Sequence, residues 1–122
     1  MITTVEPFLH ASLEGVKVYP MDETPQQGKE QTVLVRVAPN VEIPLHTHQG
    51  DATMFIVSGS GHVLSDGENN GASVEVGDCV FFEKLRQHGF QAGDDGLTFI
   101  SMNEGIVDRD PNKWDIDFAY PA

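Results

Sequence analysis

Cysteine is nearly absent: Cys79 stands alone in 122 residues. No intramolecular disulfide can form, so the chain is not a disulfide-stapled secreted module, and a reducing cytoplasm suits it. Cations are scarce as well, with 7 Lys+Arg against 19 Asp+Glu, a formal net charge of -12 with neutral histidines and a pI near 4.5. Nucleic-acid phosphates are held mainly by Lys and Arg that displace counterions, and anionic membrane surfaces attract the same side chains. The charge balance therefore argues against both partners, and the acidity reads as solubility and mutual repulsion. Long apolar runs are missing too. The longest, Met54 to Val57 and Cys79 to Phe82, fall far short of a bilayer span. The N-terminal MITTVEPFLH has neither a basic start nor an apolar stretch of signal-peptide length, so a cytoplasmic protein is expected.

Helical periodicity is the next thing lacking, and two-residue alternation takes its place. In TVLVRVA, Val33, Val35 and Val37 share one face, with Leu34, Arg36 and Ala38 on the other. SVEV sets Val74 and Val76 against Ser73 and Glu75, and LTFISMN sets Leu97 and Phe99 against Thr98, Ile100 and Met102. In WDIDFAY, Trp114, Ile116, Phe118 and Tyr120 form one apolar face, which must cover either the chain's own core or a second subunit. Turn-forming clusters punctuate these segments: Asp66 to Gly71, Gly93 to Gly96, and the Asp110, Pro111, Asn112 corner. Met21 to Gln31 is the longest polar loop. Short strands recurring between such turns predict an all-β barrel or sandwich, and 122 residues suffice for one continuous core, so a single domain over 1–122 is expected.

Two histidines, His46 and His48, lie two residues apart in VEIPLHTHQGDATMFIVSG. On a strand that spacing points both imidazoles to one face, which is a metal-ligand geometry. His88 follows forty positions later, so only tertiary folding can bring it to the pair. His10 and His62 read as surface or edge residues, and Cys79, inside the apolar run CVFF, reads as buried and inert.

On these residues the chain resembles the cupins, small β-barrels of the double-stranded β-helix or jelly-roll type that carry two sequence motifs. His46, His48 and Gly59 match the first motif, whose His-x-His pair is followed by a glutamate and a glycine. Gly77, Asp78 and His88 match the second, a Gly-Asp followed by a histidine eleven positions after the glycine. Between them SGHVLSDGENNGASVEV makes a hairpin around DGENNG, and the resemblance spans roughly residues 32–103. It implies a single cupin-type β-barrel and a divalent transition metal (Fe, Zn, Ni or Mn) on His46, His48 and His88.

The departures are as informative as the matches. Asn40 replaces a glycine, a mild change because asparagine tolerates left-handed backbone. Glu83 and Leu85 replace the second motif's proline and glycine, so the loop before His88 is expected to take another path, and Ala92 replaces a final asparagine. Ala52 falls where the motif's ligand glutamate would sit. Its neighbour Asp51 becomes the candidate fourth ligand only if a bulge near Gly50 turns it inward. Ala52, Met54, Ile56, Phe81, Phe82 and Phe90 are expected to line an apolar pocket, the alternative for each being plain core filler.

Three imidazoles without a carboxylate would leave a divalent charge uncompensated and favour anionic ligands. The expected function is a metal-dependent enzyme of oxygenase, isomerase or lyase type on a small anionic molecule, its catalytic residues unassigned. The alternative is a non-catalytic binding or sensing cupin, with or without metal, since no acid or base is evident in the pocket. Glu83, Lys84 and Arg86 near the mouth could supply one, against the plainer account of a solvated loop. A homodimer is expected from the resemblance and from the apolar face of WDIDFAY.

Overall fold

The computed structural model describes residues 1–22, 25–108, 110 and 112–118. Among them are eight strands and no helix, hence no helix long and apolar enough to cross a membrane. The strands are β1 Val16–Pro20, β2 Gln31–Val37, β3 Glu42–Thr47, β4 Ala52–Ser65, β5 Ser73–Glu75, β6 Cys79–Phe82, β7 His88–Asn103 and β8 Asp117–Phe118. All pair antiparallel, in the path β1-β2-β7-β3-β8, while β4 pairs with β5, β6 and β7. The all-β expectation holds.

The architecture follows from one long bent ribbon. β4 and β7 run together from Ala52↔Asn103 to Ser65↔His88, with register shifts on either side of Gly59. β7 gives its first part to β3 and its last part, Leu97 to Asn103, to β2. Where the ribbon bends the backbones nearly touch: a Cβ on Gly59, at φ +78°, would lie 2.1 Å from the Gly96 carbonyl oxygen. Only glycine permits both that approach and that backbone. The bend curls the sheet so that β1, β2, β3, β4 and β7 all contribute side chains to one cavity.

Alternation picks the inward residues correctly along β2, where Val33, Val35 and Val37 are buried, and along β7, where Leu97 and Phe99 are. Four expectations need correction. Gly93 to Gly96 does not end a strand, because it lies inside β7, where Gly96 at φ +77° bends the ribbon without breaking it. Val76 is exposed because β5 stops at Glu75, turned away by Gly77 at φ +96°. Cys79 is exposed, since alternation along β6 sends Phe82 inward and Cys79 and Phe81 outward. Finally, among the described residues of WDIDFAY only Asp117–Phe118 is a strand, paired with His46–Thr47. Trp114, Ile116 and Phe118 pack on the chain's own core, and Tyr120 and Pro111 lie outside the described residues. The polar loop from Met21 gives way one residue early, since Gln31 already opens β2; its buried side chain accepts from Val107 N–H and donates to Gln26 O.

Candidate metal centre

His46 and His88 are register partners across β3 and β7, beside a bulge between Ile43 and His46. Gly89 makes the bulge possible: a Cβ there would sit 2.2 Å from Ile43 O and 3.0 Å from Pro44 O. Pro44 O in turn accepts a hydrogen bond from His46 Nδ1 at 2.8 Å. His48 follows directly after β3, and its Nδ1 donates to the carbonyl of Asp115. His88 Nδ1 donates to Arg86 O at 3.0 Å. A carbonyl can only accept, so each ring carries its proton on Nδ1 and leaves the Nε2 lone pair free.

The three rings converge, with centroids 4.4 to 5.1 Å apart, and one nitrogen from each lies within 4.8 Å of the others. All three titrate below the ordinary histidine value. Burial is the main cause for each; for His46 the charges of His88 and His48 add to it, and His88 is lowered to about 4. Neutral imidazoles at neutral pH are the form that binds metal. His88 Nε2 is buried without a hydrogen-bond partner, while Phe82 stacks on its ring at 4.3 Å. A buried, proton-free nitrogen beside two further imidazoles with Nε2 free of a proton fits a borderline divalent ion such as zinc, iron, nickel or manganese.

No carboxylate among the described residues joins the trio. Asp51 stands apart, its Oδ1 accepting from Lys84 N–H at 2.8 Å, so the carboxylate ties down the 83–87 loop instead of entering the site. Asp66 holds the same loop through Arg86 Nε at 3.2 Å and Gln87 N–H at 3.4 Å. Leu85 in that loop keeps a glycine-like backbone, φ +64°, and its N–H donates to His48 O at 2.9 Å. The loop thus keeps a glycine's backbone conformation where a different path was expected. Glu83, Lys84 and Arg86 are exposed.

Beneath the histidines lies a cavity of about 60 Å³, space for a few waters or an ion with a small ligand. Met54 and Phe90 line it. Ala52, Ile56 and Phe82 are buried on the inner side without lining it, Phe82 acting instead as the platform for His88. Phe81, 58% exposed, faces outward because it alternates with Phe82.

Two polar lining residues escaped the sequence reading. Ser101 and Asn103 are buried, Asn103 Nδ2 donating to Ser101 Oγ at 3.2 Å and that hydroxyl approaching Met54 Sδ. Extending the Leu97, Phe99 alternation by two steps would have found both. Asp115 left no such signal, since it reaches His48 through its backbone from 67 positions away. His10 is no ordinary surface residue either; its ring meets Trp114 at 5.2 Å and Phe118 at 5.4 Å. His62 is exposed on β4 opposite Ser73, as expected.

Solved structures share this fold. The polyketide cyclase RemF from Streptomyces resistomycificus, 17% identical, matches all of this chain and 88% of its own at a TM-score of 0.74. The DMSP lyase DddQ from Ruegeria pomeroyi DSS-3, 16% identical, has a TM-score of 0.79 over 96% of this chain, which spans 62% of that one. A cupin-2 domain from Rhodospirillum rubrum, 21% identical, matches 85% of this chain and 72% of its own at 0.71. At such identities the likeness is one of fold. No curated protein matches the chain significantly. The family model for the cupin domain matches residues 33–103, more than half of the sequence and nearly the span on which the resemblance was read, and the chain belongs to the cupin family.

Proposed function

We propose that His46, His48 and His88 hold a divalent transition metal (Fe, Zn, Ni or Mn) through Nε2, and that the cavity below it binds a small anionic or carbonyl-bearing molecule. The carrying observation is the set of three Nδ1 atoms committed to carbonyls, with His88 Nε2 left buried and unpartnered. Such an ion would supply Lewis-acid or redox chemistry at its open positions. The chain's own part is to hold three neutral imidazoles in a fixed tautomer, to surround the ligand with apolar walls and to offer Ser101 and Asn103 as polar contacts. A metal-dependent lyase, isomerase or oxygenase fits this arrangement, and several structural neighbours are enzymes, a cyclase and a lyase among them.

One observation favours a second reading, a binding or sensing cupin without turnover. Among the described residues no Asp, Glu, Lys or Arg lines the cavity, so beyond the histidines these supply no strong acid or base for proton transfer. Metal analysis of the purified protein against a His46→Ala/His48→Ala variant tests the shared premise: stoichiometric metal in the first and none in the second is expected. Wild-type protein that takes up neither iron, zinc, nickel nor manganese on titration would refute it. Turnover of small acids and diketones by the metal-loaded protein then separates enzyme from binder.

We further infer one cupin domain over 1–122, a cytoplasmic location and a homodimer. The dimer does not need WDIDFAY, whose described apolar residues Trp114, Ile116 and Phe118 pack on the chain's own core. It rests on the outer face of the sheet, where register sets Cys79, Phe55, Ile100, Leu34 and Tyr19 side by side.

A further inference from the structure

Two buried side-chain nitrogens in the described residues lack a hydrogen-bond partner, and both residues line the same cavity: His88 Nε2 and Trp114 Nε1. They differ in chemical sense. His88 Nε2 is a lone pair, because its Nδ1 carries the proton, and a metal ion satisfies it. The indole Nε1 carries a hydrogen and can only donate, so a metal cannot satisfy it. A buried donor without an acceptor costs about 1–3 kcal/mol, so some acceptor is expected to meet it in the working protein.

Trp114 is held where it could serve a cavity ligand. Its ring meets Phe8 at 5.3 Å and His10 at 5.2 Å, both edge-on, which fixes the indole plane. The next residue, Asp115, gives its carbonyl to His48 and its carboxylate to Gln49 N–H at 3.0 Å, anchoring the segment beside the histidines. None of the described residues that line the cavity with it, Ser101 and Asn103 included, accepts a hydrogen bond from the indole N–H.

We propose that Trp114 is a ligand-recognition residue whose indole N–H donates to an oxygen of a small carboxylate held in the His46/His48/His88 cavity. This rests on the reading of that cavity as a site for a small anionic molecule, and it selects carboxylates, in which one oxygen can face the metal while the other accepts from Trp114. An apolar tail suits the valine and phenylalanine walls.

Trp114 is the sole tryptophan, so a proton–nitrogen correlation spectrum contains one indole signal. Butyrate is titrated into zinc-loaded and metal-free protein, with zinc content measured in parallel. The indole proton is expected to move downfield on butyrate addition, as a new hydrogen bond requires. In Trp114→Phe, which keeps an aromatic ring against Phe8 and His10, calorimetry is expected to show butyrate binding about tenfold weaker with zinc affinity unchanged, the loss expected for one hydrogen bond to a charged acceptor. Zinc-free wild-type protein after loading would overturn the metal reading, while the indole signal is still read on the metal-free form. An indole signal unmoved by butyrate in both forms, as for an N–H held on the ring of Phe8 or His10, overturns the Trp114 proposal. So does equal butyrate affinity in the variant.

Discussion

Leu85 holds a left-handed backbone without being glycine, and its side chain, 57% exposed, gains little from packing in return. That conformation costs an L-residue about 1–2 kcal/mol, against which glycine carries extra unfolded-state entropy of about 0.5–1 kcal/mol. Leu85→Gly is therefore expected to stabilise the protein by roughly 0.5–1 kcal/mol, raising the melting temperature by a few degrees. An unchanged or lower melting temperature would count against strain at this site. Gly89 shows the opposite case. Its missing Cβ lets the Ile43–Pro44 backbone close on β7 and orient His46, and Gly89→Ala puts a methyl 2.2 Å from Ile43 O. We expect a loss of about 2–4 kcal/mol and weaker metal retention, read by chemical denaturation and chelator competition. At this scale the sequence was readable where side-chain type and spacing carried the signal, as with the His46, His48 and His88 trio. It was unreadable where backbone carbonyls did the orienting, because every residue has one.

The segment from Trp114 to Phe118 works as a strap across the site. Phe118 pairs with His46 in the β3–β8 ladder, Asp115 O orients His48, and the Asp115 carboxylate accepts from Gln49 N–H through both oxygens. Gly105 admits the strap, since a Cβ there would lie 2.2 Å from Asp115 Oδ2. Asp115→Ala keeps the carbonyl but removes the anchor, so metal affinity is expected to fall about 10–100-fold, the usual consequence of disturbing an outer-shell partner. Competition with a chromophoric chelator measures it, and an unchanged affinity would show that the ladder alone fixes the strap. The apolar face of this strap was legible as a period of two, yet its destination was not. Alternation states that a face is covered and leaves open by what. The bend in β7 was hidden for a related reason: glycines that terminate a strand and glycines that fold a continuous ribbon over itself look alike until Gly59 and Gly96 are seen to approach.

Across the molecule, two buried histidines, His46 and His88, and the half-buried His48 couple stability to pH. His88 titrates at about 4 in the folded chain and His46 and His48 are lowered too, whereas an unfolded histidine binds its proton near 6.5. Above that value neither state is protonated and the histidines contribute nothing. Below it the unfolded state takes up protons that the folded state refuses, so stability falls with pH, by roughly 3 kcal/mol for His88 alone once pH reaches about 4. Metal-free protein is expected to lose melting temperature between pH 7.5 and 5, and His88→Gln, which removes one titrating group, to lose less; equal slopes would contradict this. Charge would also govern the proposed dimer. The outer row through Phe55 and Ile100 is apolar and Phe55 is 40% exposed, so two copies related by a twofold axis can bury it against itself. The net charge of -12 on each copy opposes that approach and is screened by salt. Dimerisation should therefore strengthen from low to moderate ionic strength and weaken in Phe55→Asp, as sedimentation would report. A monomer at all salt concentrations would rule out the face as a homodimer contact, and a dimer untouched by Phe55→Asp would move the interface elsewhere.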